Sequence, residues 1–179
     1  YNGIASQKRR LIHGEVGNAI EEIFSERLED FYEQLAYHFS KAGNRQKEIP
    51  YLKLSATKAQ KQSSPWDAYR FAKKALRAIE EQSSDEHHKH QQLEVLATLN
   101  TVLRMLDYTP LDAERLMKKG EDLALELMDK RMLALFRASL CSYYLAIGDG
   151  SSCRKYSAYL SNSIEVSRDS LLEKDQLRI

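Results

Sequence analysis

A chain of 179 residues, 42% hydrophobic and 30% charged, is long enough for one soluble, folded domain with a sizeable core, which excludes a disordered tail. A formal charge of +1 excludes a global field of the kind that drives non-specific nucleic-acid binding, so any electrostatic role must come from a local patch. Seven glycines and three prolines leave little turn material for an all-β protein. Ala, Leu, Glu, Lys, Gln and Arg dominate, so the expected class is all-α.

The chain opens at Tyr1 with no methionine and no signal-peptide pattern, and is expected to be an excised piece of a longer cytosolic protein. A first helical stripe runs through Ile12, Val16, Ile20, Ile23 and Phe24, and a second through Leu28, Phe31, Leu35, Phe39 and Ala42. Apolar spacing of three and four then predicts helices over about 46–62, 65–82, 86–106, 110–128, 130–147 and 150–167, with another starting after Ser170. Breaks fall at Gly43-Asn44, Ser63-Ser64-Pro65, Ser83-Ser84-Asp85, Asp107 to Pro110 and Gly148-Asp149-Gly150. SPWD at 64–67 and TPLD at 109–112 read as twin helix starts, each with a hydroxyl N-cap, Pro at the first helical position and an Asp facing the helix dipole. Pro50 is expected within the first turn or so after Asn44, where donors are unpaired anyway. No stretch approaches about eighteen consecutive apolar residues, so no membrane partner is expected.

Helices joined by such short turns must form antiparallel hairpins, and hairpins recurring about every 40 residues imply a solenoid. The frame around each turn has one spacing. Around Gly43 it selects Ala36, Phe39, Glu48, Leu52 and Ser55; around Ser63, Ala56, Ala59, Ala68, Ala72 and Ala75. Around Leu106 it selects Leu99, Val102, Ala113, Met117 and Gly120, after a longer turn, and around Gly148 it selects Cys141, Tyr144, Cys153, Ser157 and Leu160. Small residues where two helices cross let the backbones approach, and larger ones between them fill the groove. The helix at 46–62 serves as second helix of one frame and first helix of the next, so strict alternation breaks near the N-terminus.

This small–aromatic–Gly–small spacing resembles the tetratricopeptide repeat (TPR), which implies one domain over 1–179, a right-handed superhelical solenoid of about eight helices. Glu48, Ser63 and Leu106 depart from the repeat's usual residues. RRLIHGEVGNAIEEIFSERLEDFYEQLAYHFSKAGNRQKEIPYLKLSATKA is similar to the stretch after the ATPase module of large bacterial signalling proteins, often headed by an adenylate or guanylate cyclase domain. DYTPLDAERLMKKGEDLALELMDKRMLALFRASLCSYYLAIGD resembles the same family's repeat array. The resemblance implies a sensor or regulatory arm of a cytoplasmic protein and transfers no catalytic residue.

No phosphate loop, zinc-type cysteine pairs, HExxH or nucleophile elbow occurs, so no enzyme, cofactor or metal is expected. In DEHHKHQQ only Glu86 and His90 share a helical face, while His87 and His88 diverge, as at a solvated helix start. His13 and His38 lack any nucleophile or carboxylate in register. Cys141 and Cys153 are too few for a disulfide framework and read as inert buried thiols in a reducing compartment.

Residues 41–77 carry ten basic and two acidic side chains, a net of +8, with Lys53, Lys58, Lys61, Arg70, Lys73 and Lys74 as the core of the patch. It is either a solvated face of two helices or a dock for an acidic protein surface, a phosphate-bearing ligand or nucleic acid, with the acidic surface ahead of nucleic acid. Solenoids bind through the inner face of each hairpin's first helix. Helical geometry puts Leu93, Leu96, Asn100, Leu103, Arg104, Ala138, Ser142 and Leu145 there, unless the register is one position off and these residues are core. The expected function is a non-catalytic protein-interaction scaffold, its partner a protein, a peptide or a neighbouring ATPase or effector domain. The alternative is a nucleic-acid-associated transcription regulator using the 41–77 face.

Overall fold

The computed structural model describes residues 2–82 and 85–161. Among these, all regular structure is helical. α1 (Asn2–Ile23) leads through a 3-10 stretch (Ser25–Phe31) into α2 (Tyr32–Ala42), α3 (Arg45–Lys61), α4 (Pro65–Glu80) and α5 (Glu86–Met105). α6 (Ala113–Glu126) and α7 (Lys130–Ala146) follow, and α8 covers 150–161. The expected continuation to 167, the helix start after Ser170 and the Ser83-Ser84 break lie outside the described residues. No described helix is long and apolar enough to cross a membrane.

The chain divides into two compact units, Tyr1–Leu106 and Asp107–Ile179. The break coincides with two consecutive left-handed residues, Asp107 (φ 48°) and Tyr108 (φ 56°), a conformation that side chains with a Cβ adopt only at a cost. It also corrects the reading of TPLD. Thr109 is not an N-cap and Pro110 is not helical; Ala113 N–H donates to the Pro110 carbonyl (3.0 Å), and α6 starts only after Asp112. SPWD does open a helix, with Pro65 at its first position, but the Ser64 hydroxyl donates to Asp67 Oδ2 (2.7 Å) instead of capping the backbone.

In the first unit, α1–α2, α2–α3, α3–α4 and α4–α5 pack as successive neighbours, and turns of two or three residues fold α3 and α4 back antiparallel. Gly43 ends α2 in the left-handed conformation (φ 76°) that only glycine adopts without strain. Asn44 then caps α3 by accepting from Lys47 N–H (3.2 Å). Pro50 is the sixth residue of α3, in its second turn and beyond the unpaired donors. It deprives the Gln46 carbonyl of its helical partner at a position where both residues are exposed to solvent. The Gly43 and Ser63 frames are core: Ala36, Phe39, Glu48, Leu52, Ser55, Ala56, Ala59, Ala68, Ala72 and Ala75 are all buried.

Two stripes differ from expectation. Leu28 and Phe31 precede α2 in the 3-10 stretch, where Arg27 leaves helical geometry (φ −142°, ψ 41°) and Phe24 stacks on Phe31 (4.2 Å). In α1 the seam against α2 runs through Gly14 and Gly17: a Cβ on Gly17 would stand 2.8 Å from the Phe39 ring. The absent side chain lets the ring seat directly on the α1 backbone.

In the second unit α6 packs on α7, and Gly120 plays the part of Gly17 more tightly, since a Cβ there would meet the Phe136 ring at 2.3 Å. Buried Glu121 accepts from Arg137 Nε (2.8 Å) and from the Tyr156 hydroxyl (3.0 Å), tying α6 to α7 and α8. Glu114 accepts from Lys118 (2.6 Å) and the Tyr144 hydroxyl (2.7 Å), and these bonds hold its carboxyl below the usual range.

Candidate functional site

The expected inner face is not an open groove. Leu93, Leu96, Asn100 and Leu103 are only 0–2% exposed. α5 also buries Val95, Leu99 and Val102, so its buried arc takes in about half of the circumference, while Glu94, Thr101, Arg104 and Met105 face solvent. The register alternative, in which these leucines are core, is the one the burial pattern matches. Arg104 of α5 is exposed, and in α7 so are Ala138, Ser142 and Leu145, the last at 71%.

The basic patch is largely engaged with the first unit's own groups. Lys53 pairs with Glu94 (2.6 Å), Lys47 with Glu21, and Arg45 bridges Glu48 and Glu81. Three of the ten cations are thus matched by carboxylates from outside the segment. Lys58 donates to the Glu29 carbonyl (2.8 Å) and Arg70 pairs with Asp67 (2.9 Å). Lys73 lies over Tyr69 and Lys74 over Phe71, at 5.5 and 5.9 Å from the ring centroids, and Lys61 is exposed. These contacts leave a weaker field than the charge count implies. Arg45 also stands in a cleft of about 420 Å³ between α2 and α4, floored by α3, whose polar walls include Glu33, Lys41, Lys74 and Glu81.

DEHHKHQQ builds a helix start. Asp85 caps α5 by accepting from His88 N–H (2.9 Å) and also contacts His88 Nδ1 (2.6 Å), while His87 Nε2 meets Gln91 (3.0 Å). No group of three or more His, Cys, Asp or Glu side chains able to hold a metal ion occurs among the described residues. The spacing of 25 residues hid another pair. His13 and His38 place their Nδ1 atoms 3.2 Å apart across α1 and α2, and burial, then the His13 charge, lowers the His38 pKa from its ordinary value.

The surface that sequence reasoning missed lies on α1. Leu11, Ile12, Val16 and Ile23 are 63%, 47%, 36% and 71% exposed, although Ile12, Val16 and Ile23 belong to the stripe expected to be core. The glycines supply the reason. With Gly14 and Gly17 on the opposite side, α1 meets α2 through its smallest residues, while Ile20 and Phe24 of the expected stripe are half-buried. Ile12, Val16, Ala19 and Ile23 follow at steps of four, three and four, one continuous row along the helix. The available signal was the pair Gly14 and Gly17, three apart in a helix that gains nothing from glycine unless another group approaches closely. No protein-family model and no curated protein matches this chain.

Proposed function

We propose that the chain is a non-catalytic protein-interaction scaffold, the regulatory or sensor arm of a larger cytoplasmic signal-transduction protein, built as a TPR-like right-handed solenoid. The repeat reading draws support from the turn frames, whose residues at the first two turns are buried together. The observation that carries the functional reading is the row Ile12, Val16 and Ile23 on α1, large apolar side chains left in water along one helix face. Such a row suits the apolar surface of a protein partner and offers nothing to a phosphate backbone. On the resemblance noted above, that partner is a neighbouring ATPase or effector domain. The competing reading, a nucleic-acid-associated regulator using residues 41–77, is weakened by the internal ion pairs of Arg45, Lys47 and Lys53.

The test is site-specific photocrosslinking in cells that make the protein at its native level, with the photoreactive residue replacing Ile12, Val16 or Ile23 in turn. Adducts from all three positions to one protein, or to one other domain of the same polypeptide, are expected. Unadducted protein at all three positions would overturn the reading. So would micromolar or tighter binding to generic duplex DNA at physiological salt, lost when Lys53, Lys58, Lys73 and Lys74 are changed to Glu.

A further inference from the structure

Cys141 of α7 and Cys153 of α8 stand with their sulfurs 3.6 Å apart, and both are half-buried thiols within reach of a small oxidant. Nothing in the expected interaction role requires this. The proximity comes from the hairpin: the pair occupies the two small-residue positions where the helices cross, and the short turn holds that crossing. Gly148 takes the left-handed conformation (φ 79°), and Asp149 accepts from the backbone N–H groups of Ser151 and Ser152 (3.1 Å each), so α8 starts in a set direction. The stacked rings of Tyr144 and Tyr156 (5.6 Å) clamp the same two helices, and the Tyr156 hydroxyl is anchored on Glu121.

We propose that Cys141 and Cys153 form a modification site, a reversible intrachain disulfide that a peroxide-class oxidant makes and a thiol reductant removes. A disulfide holds its sulfurs at about 2.05 Å, so the thiols must close by about 1.5 Å, a movement that side-chain torsions of two half-buried residues supply. The chemistry balances with hydrogen peroxide as oxidant. One sulfur, as thiolate, attacks a peroxide oxygen; the O–O bond breaks, the first water leaves and a sulfenic acid remains. The second thiol attacks that sulfur, the S–O bond breaks, and the hydroxyl leaves as a second water with the proton the thiol gives up. Two thiols are oxidised to one S–S bond, and one peroxide is reduced to two waters. Burial, with Cys153 as neighbour, pushes the Cys141 thiol up. The product pins α7 to α8 across a short loop and raises the melting temperature of the second unit.

The experiment treats the reduced chain with hydrogen peroxide, then denatures and alkylates it with N-ethylmaleimide for intact-mass measurement. As the chain has two cysteines in all, the assignment is unambiguous. The expected result is paired loss of both alkylation sites in a monomer lighter by two hydrogens, restored by dithiothreitol and abolished in Cys141→Ser and in Cys153→Ser. Disulfide-linked dimers, independent conversion of each cysteine to sulfinic acid, or two thiols that stay fully alkylatable would each overturn it. The wild-type mass readout stands by itself should either serine variant fail to fold.

Discussion

The α3–α4 seam in the first unit and the α7–α8 seam in the second follow one residue spacing but pack to different depths. At the first, Ala56, Ala59, Ala68, Ala72 and Ala75 are all buried, so the positions facing the crossing carry methyl groups. At the second, Tyr144 is buried, Cys141, Cys153 and Leu160 are half-buried, and Ser157 is exposed. Spacing sets which residues face the crossing, whereas side-chain size on both partners sets how close the helices come. Where alanines face alanines the seam tolerates no added volume. Where cysteine and serine replace them, α7 and α8 are tied instead through α6, as Arg137 and Tyr156 both donate to Glu121.

The strongest way to break the comparison is Ala72→Leu. Three added heavy atoms in the alanine seam force backbone or rotamer shifts, and a loss of about 3 kcal/mol is expected by urea unfolding. Next is Arg137→Ala, which leaves the Glu121 carboxylate with only the Tyr156 hydroxyl. Because this pair is not fully dry, a loss of roughly 2 kcal/mol is expected, with Arg137→Lys recovering part of it. An equal loss from the corresponding change at the exposed pair Lys53–Glu94 would show that the polar clamp is not what distinguishes the second seam.

A smaller effect separates the units by pH, since all five histidines precede residue 107. The pKa of His38 is lowered in the folded chain, so as pH falls through its ordinary value of 6.5 the unfolded chain takes up the proton first. Stability is therefore complete above that value and declines below it. The first unit is expected to melt lower at pH 5.5 than at pH 7.5, with the difference reduced in His38→Gln, while probes in the second unit stay level over the same range. Smallest of all is Ser157→Leu, the counterpart of Ala72→Leu in the other seam. At an exposed position it is expected to move stability by no more than about 0.5 kcal/mol, and a larger loss would mean that the two seams are equally tight.

Much of this organisation was legible in the residues. Turn positions such as Gly43-Asn44 and Gly148-Asp149 name themselves, because a left-handed residue and a capping side chain are local requirements. The small-residue frames named the buried positions of α2, α3 and α4 for a similar reason, as helical period alone decides which residues share a face. Faces could not be assigned to partners in the same way. Ile12, Val16 and Ile23 have the period of a core stripe, yet α1 turns its glycines to α2. Leu93, Leu96 and Leu103 have the period of an open inner face, yet all three are buried in the core.

The sequence by itself determined helix content, most boundaries to within a residue or two and the spacing of the crossings, all consequences of interactions a few residues long. Tertiary structure alone decided which apolar stripe was left in water, which acids neutralise the basic segment, and that His13 meets His38 and Cys141 meets Cys153. Each of those depends on the rotation of one helix against another, and that rotation is set by packing volume summed over the whole seam.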